Sequence, residues 1–129
     1  MKESIRRYAP VDEYYFKEGC YILELSNADD DPAVSIARAR VPRGVTTRLH
    51  RLHGIVERYF IVEGTGTVEI GSLGQQQVQP GDIAIIPPEC SQRVTNTGTS
   101  DLVFLAICTP RFIPAAYEDL EPSDFESGA

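Results

Sequence analysis

The sequence predicts an all-β fold, a sandwich or barrel of short strands. Nine prolines are spread over the 129 residues, and they leave few windows for a long helix. The segments between them are short and rich in β-branched and aromatic residues, with turn-forming residues at close intervals. This combination is typical of β-sandwiches and barrels. One domain accounts for the length, since two domains of ordinary size need about twice as many residues.

The predicted strands follow this punctuation along the chain. The second strand changes phase near Ile36, because two arginines take positions where the alternation calls for apolar residues, and we expect a bulge there. Residues 63–66 (EGTG) predict a hairpin with glycines at the positive φ values. Residues 115–120 predict a single helical turn. The predicted strands cover residues 20–26, 33–41, 59–62, 67–70, 75–79, 83–86, 93–95 and 101–109.

The charge balance argues against nucleic acids as partners, and the short apolar runs argue against a membrane span. Twelve basic and nineteen acidic residues give a formal charge of −7, and five of the acids lie in residues 118–129, which leaves −2 for residues 1–117. Nucleic-acid binding normally requires a basic surface. Apolar runs such as 102–108 are far shorter than the roughly 20 residues of a spanning helix. We expect residues 1–117 to form the domain and residues 118–129 to be an acidic, mobile tail.

The three cysteines predict reduced thiols. Their number is odd, they form no CxxC pair, and Cys108 lies in an apolar run where free cysteine behaves as a small hydrophobic residue. No apolar stretch of the secretory kind follows the basic start of the sequence. We therefore expect a cytoplasmic protein.

The two histidines lie together and are followed by a glutamate. On a helix, His50, His53 and Glu57 would share one face and could bind one metal ion. Gly54 and the aromatic and β-branched run that follows favour strands instead. On a strand, two histidines three residues apart point to opposite faces, so only one reaches an interior site unless the chain bends at Gly54. From these residues alone, a metal site and a pair of surface histidines remain open alternatives.

Two motifs in the correct order resemble those of the cupin superfamily. Residues 44–64 follow the spacing G-x5-HxH-x3,4-E-x6-G, with His50 and Glu57 at the histidine and glutamate positions. Residues 81–96 follow G-x5-PxG-x2-H-x3-N, with Pro87 at the proline position. The resemblance implies a double-stranded β-helix (cupin or jelly-roll) barrel with short terminal extensions, commonly a homodimer, with its site inside the barrel.

The resemblance also implies a metal centre, which in the family consists of three histidines and one glutamate. If His50 is the first histidine, Leu52 stands where the second belongs; in the other registration His53 is the second. Gln92 stands at the histidine position of the second motif. The predicted ligands of a divalent iron, manganese, zinc or nickel ion are His50, His53, Glu57 and Gln92.

Strand alternation then identifies the expected substrate pocket. If Glu57 points inward, so does Tyr59, whose hydroxyl could donate a hydrogen bond to a ligand. Arg48 is expected near the barrel mouth, where it could hold a carboxylate, and Cys90 is expected beside Gln92. The predicted substrate-pocket residues are Tyr59, Arg48 and Cys90.

By this resemblance, the expected function is that of a metal-dependent enzyme acting on a small organic molecule, of oxygenase, isomerase or lyase type. The alternative is a non-catalytic module that binds or senses a small molecule with weak or absent metal. A third interpretation is a dimerisation unit whose acidic tail recruits a partner protein.

Overall fold

A computed structural model describes residues 1–121 of the chain. Eleven strands account for nearly half of this range, and three single-turn 3-10 helices lie at Pro10–Asp12, Gly71–Leu73 and Pro114–Ala116. No helix within the described range is long and apolar enough to cross a lipid bilayer. The strands are β1 Tyr14–Phe16, β2 Cys20–Ser26, β3 Ser35–Val41, β4 His50–Leu52, β5 Val56–Glu63, β6 Gly66–Ile70, β7 Gln75–Val78, β8 Ile83–Ile86, β9 Gln92–Asn96, β10 Leu102–Thr109 and β11 Tyr117–Asp119.

The strands form two antiparallel sheets whose inner faces share one core. The larger sheet has the order β1-β2-β3-β10-β5-β8, and the smaller has the order β11-β4-β9-β6-β7. Alternate residues of each strand point inward, so β9 buries its first, third and fifth residues and β6 does the same. Ile61, Ile86, Val94 and Leu102 are among the most deeply buried apolar side chains. The predicted all-β architecture is confirmed.

The turn at residues 63–66 is not the predicted hairpin. Strand β5 pairs with β10 and β8, whereas β6 pairs with β7 and β9, so this turn carries the chain from one sheet to the other. Gly64 has φ +80°, and a Cβ there would lie 2.5 Å from the backbone oxygen of Asp101. The glycine therefore permits a close crossing over the start of β10 rather than a tight two-strand turn.

Two other local predictions are wrong in part. The predicted phase change within β3 is absent, because β3 pairs with β10 in unbroken register and Ser35, Ala37 and Ala39 all line one face. A bulge does lie opposite Ile36 and Ala37, but the extra residue is in β2, where the β2–β3 register shifts between Glu24 and Ser26. The helical turn predicted for residues 115–120 is instead a 3-10 turn at Pro114–Ala116, followed by strand β11.

The acidic segment begins inside the fold rather than beyond it. Glu118 and Asp119 belong to β11, which pairs with β4, so the expected boundary at residue 117 is too early. The remainder of the predicted tail, residues 122–129, lies outside the described residues. The expected homodimer stays a prediction. Ile83 and Ile85 are exposed on β8, at the open edge of the larger sheet.

Asn96 closes the end of the barrel opposite the cavity described below. Its Nδ2 donates to the backbone oxygens of Val41 and Ser100, at 2.8 Å each, and its Oδ1 accepts from the backbone N–H of Gly98 at 2.9 Å. This agrees with the expectation that an asparagine at this loop satisfies backbone groups.

Substitution Asn96→Ala should therefore lower the free energy of unfolding by at least about 2 kcal/mol, because it leaves buried backbone groups unpaired. Urea denaturation measures the effect. The matched control is Thr97→Ala, an exposed neighbour expected to change stability by less than about 0.5 kcal/mol. Equal effects of the two substitutions would contradict the assigned role of Asn96.

Candidate functional site: an acidic cavity between the sheets

A cavity of about 60 Å³ lies between the inner faces of the two sheets, away from the closed end. Its apolar wall is largely aromatic, with Phe16, Phe104 and Phe112 beside small alanines. Tyr14 and Glu24 also line it and are exposed, so the cavity opens to solvent beside β1 and β2. The polar side chains deeper in the wall are Glu18, Ser35, His50, Glu57, Tyr59, Cys108 and Tyr117.

Glu57 is the most unusual group of this wall. It points inward from β5 and is only 8% exposed. Its Oε2 accepts a long hydrogen bond from the Cys108 thiol, at 3.7 Å, whereas Oε1 has no partner among residues 1–121. Burial, reinforced by the carboxylate of Glu18, raises the pKa of Glu57 to about 7, against the smaller opposing effect of the nearby polar side chains of Gln92, Cys108 and Tyr59. Near neutral pH this carboxyl can therefore both take up and release a proton.

His50 projects into the cavity from β4 and is held from both sides. It is 3% exposed. Its Nδ1 lies 2.7 Å from the backbone oxygen of Arg48, which can only accept, so Nδ1 carries a proton. Its Nε2 lies 3.1 Å from Oε2 of Glu18, and the ring stacks on Tyr117 with centroids 4.9 Å apart. The imidazole is thus oriented by a backbone carbonyl and paired with a carboxylate.

Tyr59 and Gln92 meet across the two sheets. The Tyr59 hydroxyl donates to Oε1 of Gln92, and the Nε2 of Gln92 is buried without a partner in the described part of the chain. Burial and the nearby Glu57 carboxylate raise the pKa of Tyr59 well above its ordinary value. Tyr59 therefore stays a neutral hydrogen-bond donor.

His53 does not reach this cavity. Its side chain is 47% exposed, with Nε2 at 2.7 Å from Glu118 and Nδ1 at 3.4 Å from Glu89. Strand β4 ends before it and the chain turns at Gly54 (φ +71°), so the bend directs His53 outward rather than into the barrel. The expectation that His53 contributes to the same site as His50 is wrong.

Two expected pocket residues also lie elsewhere. The Nε of Arg48 is 2.6 Å from Asp119 of β11, and the Sγ of Cys90 packs against Gly71, where an added Cβ would come within 2.8 Å of it. Neither residue is part of the cavity wall, whereas Tyr59 is. Arg48 was expected to face a ligand carboxylate, but it is drawn instead to the acidic segment that forms β11.

Four polar residues deeper in the cavity wall were missed by sequence reasoning: Glu18, Ser35, Cys108 and Tyr117. Glu18 lies in the turn before β2, and its Oε1 accepts from the Cys20 thiol at 3.3 Å. Cys108 was assigned to the core, but its pairing with Glu57 in the β5–β10 register puts both on one inner face. Tyr117 lies in β11, opposite Leu52. Of these residues, only Cys108 could have been identified from the sequence, because strand alternation predicts which face of its strand it lies on.

The residues in the cavity do not fit the family metal centre. Leu52, at the position of a family histidine, is buried in an apolar cluster, and Gln92 uses its amide oxygen to accept from Tyr59. An amide oxygen is also a poor ligand for the borderline metals that imidazole binds. Within residues 1–121, no three His, Cys, Asp or Glu side chains are arranged to hold a metal ion. Of the family set, the cavity keeps His50 and Glu57, and the chemistry proposed for it below belongs to these side chains.

Comparison with known proteins identifies the family. The profile of the Cupin domain family matches residues 37–108, more than half of the chain, and the protein belongs to this family. An uncharacterized protein of Methanocaldococcus jannaschii is 32% identical over 123 residues, which cover 94% of this chain and 95% of that protein. An oxalate-binding protein of Thermotoga maritima is 32% identical over 71 residues, 55% of this chain and 58% of its own length.

A solved structure confirms the type of fold. An uncharacterized conserved protein of Klebsiella pneumoniae with a double-stranded β-helix domain superposes with a TM-score of 0.74 at 14% identity. The alignment covers 92% of this chain and 100% of that one. The two facing sheets described above are therefore a double-stranded β-helix.

The raised pKa of Glu57 predicts an unusual dependence of stability on pH. The folded chain binds the Glu57 proton more tightly than the unfolded chain, in which the pKa of this glutamate is near 4.5. The protonated carboxyl therefore contributes fully to the free energy of unfolding at low pH. This contribution is lost as pH rises through about 7, at a cost on the order of 3 kcal/mol. Glu57→Gln, which stays neutral, should remove this loss, so its urea midpoint should fall less than that of wild type between about pH 5 and about pH 8.

The control for this comparison is Glu63→Gln, an exposed position at the end of the same strand, which should keep the wild-type pH dependence. If Glu57→Gln loses as much stability as wild type over the same interval, the carboxyl is not protonated in the folded protein and its assigned environment is incorrect.

Proposed function

We propose that this cupin binds a small organic molecule in the cavity and transfers a proton on it through Glu57, without a resident metal ion. The observation that carries the proposal is the unpartnered Oε1 of Glu57, buried in an aromatic cavity and attached to a carboxyl with a pKa of about 7. A general base is most effective when its pKa lies near the working pH. A buried polar atom without a partner also favours a bound group that supplies one.

The neighbouring groups support proton transfer rather than binding alone. Taking a proton from a carbon or oxygen of the ligand turns the Glu57 carboxylate into a carboxylic acid, which can return that proton to a second atom. His50, fixed by the backbone oxygen of Arg48 and facing Glu18, can orient a ligand in the cavity. Isomerisation by a proton shift requires only such transfers, and elimination adds the departure of a leaving group that the returned proton neutralises, so the isomerase and lyase classes fit this site.

A non-catalytic binding module is the alternative function, and the same cavity would serve it. The two functions differ in whether Glu57 reacts with a bound molecule. A cytoplasmic location, a small-molecule partner and a homodimer remain parts of the proposal.

Benzisoxazole tests the base directly, although the natural substrate is unknown. Removal of the proton on C3 of its isoxazole ring by a base forms the nitrile, breaks the N–O bond and gives 2-cyanophenolate, whose absorbance can be followed. Protein treated with EDTA should accelerate this reaction over buffer, and the rate should rise with pH through about 7 because the carboxylate is the active form. Glu57→Gln should lower the acceleration by about a hundredfold.

Glu63→Gln is again the matched control and should keep the wild-type rate. Three results would contradict the proposal: no acceleration by wild type, equal rates for wild type and Glu57→Gln, or an acceleration that EDTA abolishes. Tight binding of small molecules with no base activity would favour the binding module.

A further inference from the structure

The charged side chains on the cavity wall are almost all acidic. Glu18 and Glu57 lie inside it and Glu24 lies at its mouth. His50 is the one imidazole, and its Nε2 is already paired with Glu18 at 3.1 Å. No lysine or arginine belongs to the described lining. An anion entering this cavity would lose its hydration and gain no cationic partner.

The arginines near the barrel are paired outside the cavity. Arg40 lies 2.6 Å from Glu13, and Arg48 lies 2.6 Å from Asp119. Recruiting either of them to a ligand would break an existing ion pair. These two arginines therefore do not offset the acidic side chains of the lining.

Two unpartnered buried atoms of the lining can accept a hydrogen bond, whereas the unpartnered Nε2 of Gln92, which is a donor, belongs to a residue outside the lining. Oε1 of Glu57 is a buried acceptor, and the Tyr117 hydroxyl, which has no partner among residues 1–121, can accept as well. An N–H group of a ligand would satisfy Oε1 of Glu57, and an ammonium group has three N–H donors. A ligand carboxylate would instead place acceptors against Glu57.

The aromatic part of the wall is suited to a cation. Phe16 meets Tyr117 and Phe112 edge to face, with centroids 5.3 and 6.5 Å away, so ring faces are presented in different directions. The chain's own Lys17 ammonium lies 4.6 Å from the centroid of Tyr117 and 5.9 Å from that of Phe16. These distances are those of cation–π contacts, which an amine ligand can make with the same kind of ring.

We infer that the cavity selects small organic amines in their cationic form over carboxylates of the same shape, through Glu18, Glu57 and the aromatic wall. The inference rests on the proposed function, which makes this cavity the ligand site. It separates this chain from the oxalate-binding relative, whose ligand by name is an anion.

Three probes of similar size isolate the effect of charge: phenethylamine, phenethyl alcohol and phenylacetate. Each is titrated into isotope-labelled full-length protein in EDTA at about pH 8, where Glu57 is mostly ionised, and amide shifts of the cavity strands are followed. We expect the Kd of phenethylamine to be at least about tenfold below that of phenylacetate, with the alcohol between them. Glu57→Gln and Glu18→Gln should each narrow this ratio by about threefold or more, and Glu63→Gln should leave it unchanged.

The outcomes separate the inference from the proposed function. Equal Kd values for the three probes, or tightest binding of phenylacetate, would overturn the inferred amine selectivity. Benzisoxazole turnover in the same sample would still support Glu57 as a general base. Amine preference that survives both Glu18→Gln and Glu57→Gln would also overturn the inference, since the selecting carboxylates would then lie elsewhere. Absence of both cavity shifts and turnover would overturn the proposed function and the inference with it.

Discussion

The burial of a carboxyl group without a cation beside it is the constraint on which the character of this protein depends. Glu57 lies deep between the sheets, and the groups that approach it are a thiol, a phenol, an amide and a second carboxylate. Water and metal ions usually compensate such a group in other proteins. In this protein the buried Glu57 carboxyl is compensated in part by a hydrogen bond and by a proton that it holds near neutral pH. The group whose burial lowers stability is therefore also available for proton transfer.

The barrel supplies this environment through strand register. Strand β10 is the common neighbour of β3 and β5, and its pairing brings Cys108 opposite Glu57 on the inner face. Across the barrel, β4 contributes His50, and β9 contributes Gln92 from the position directly paired with it. Each of these side chains is fixed by a regular strand rather than a loop, which favours a preorganised site. Glu18 is the exception, because it comes from a turn and is held by His50 and Cys20.

Much of this arrangement was predictable, and the reasons are local. Period-two alternation is a property of the strand itself, so the inward orientation of Glu57 and Tyr59 followed from sequence parity. The spacing of the two motifs, at residues 44–64 and 81–96, predicted the family and thus the fold.

What the sequence could not predict depends on pairings between distant residues. The Tyr117–Leu52 and Asp119–His50 pairs of β4 and β11 join segments more than sixty residues apart, and they decide where Arg48 and the acidic segment go. The chain at residues 63–66 has hairpin composition, but crossing between sheets uses the same glycines for a close backbone approach. The direction of His53 depended on the bend at Gly54, which alternation alone does not fix.

The most direct measurement is an NMR titration of the Glu57 side-chain carboxyl carbon in labelled protein, with the resonance assigned from the Glu57→Gln variant. We predict a midpoint at about pH 7, well above the ordinary glutamate value of 4.5. A midpoint near 4.5 would mean that a cation or solvent compensates this carboxylate, and the description of the cavity as an uncompensated acidic site would be contradicted.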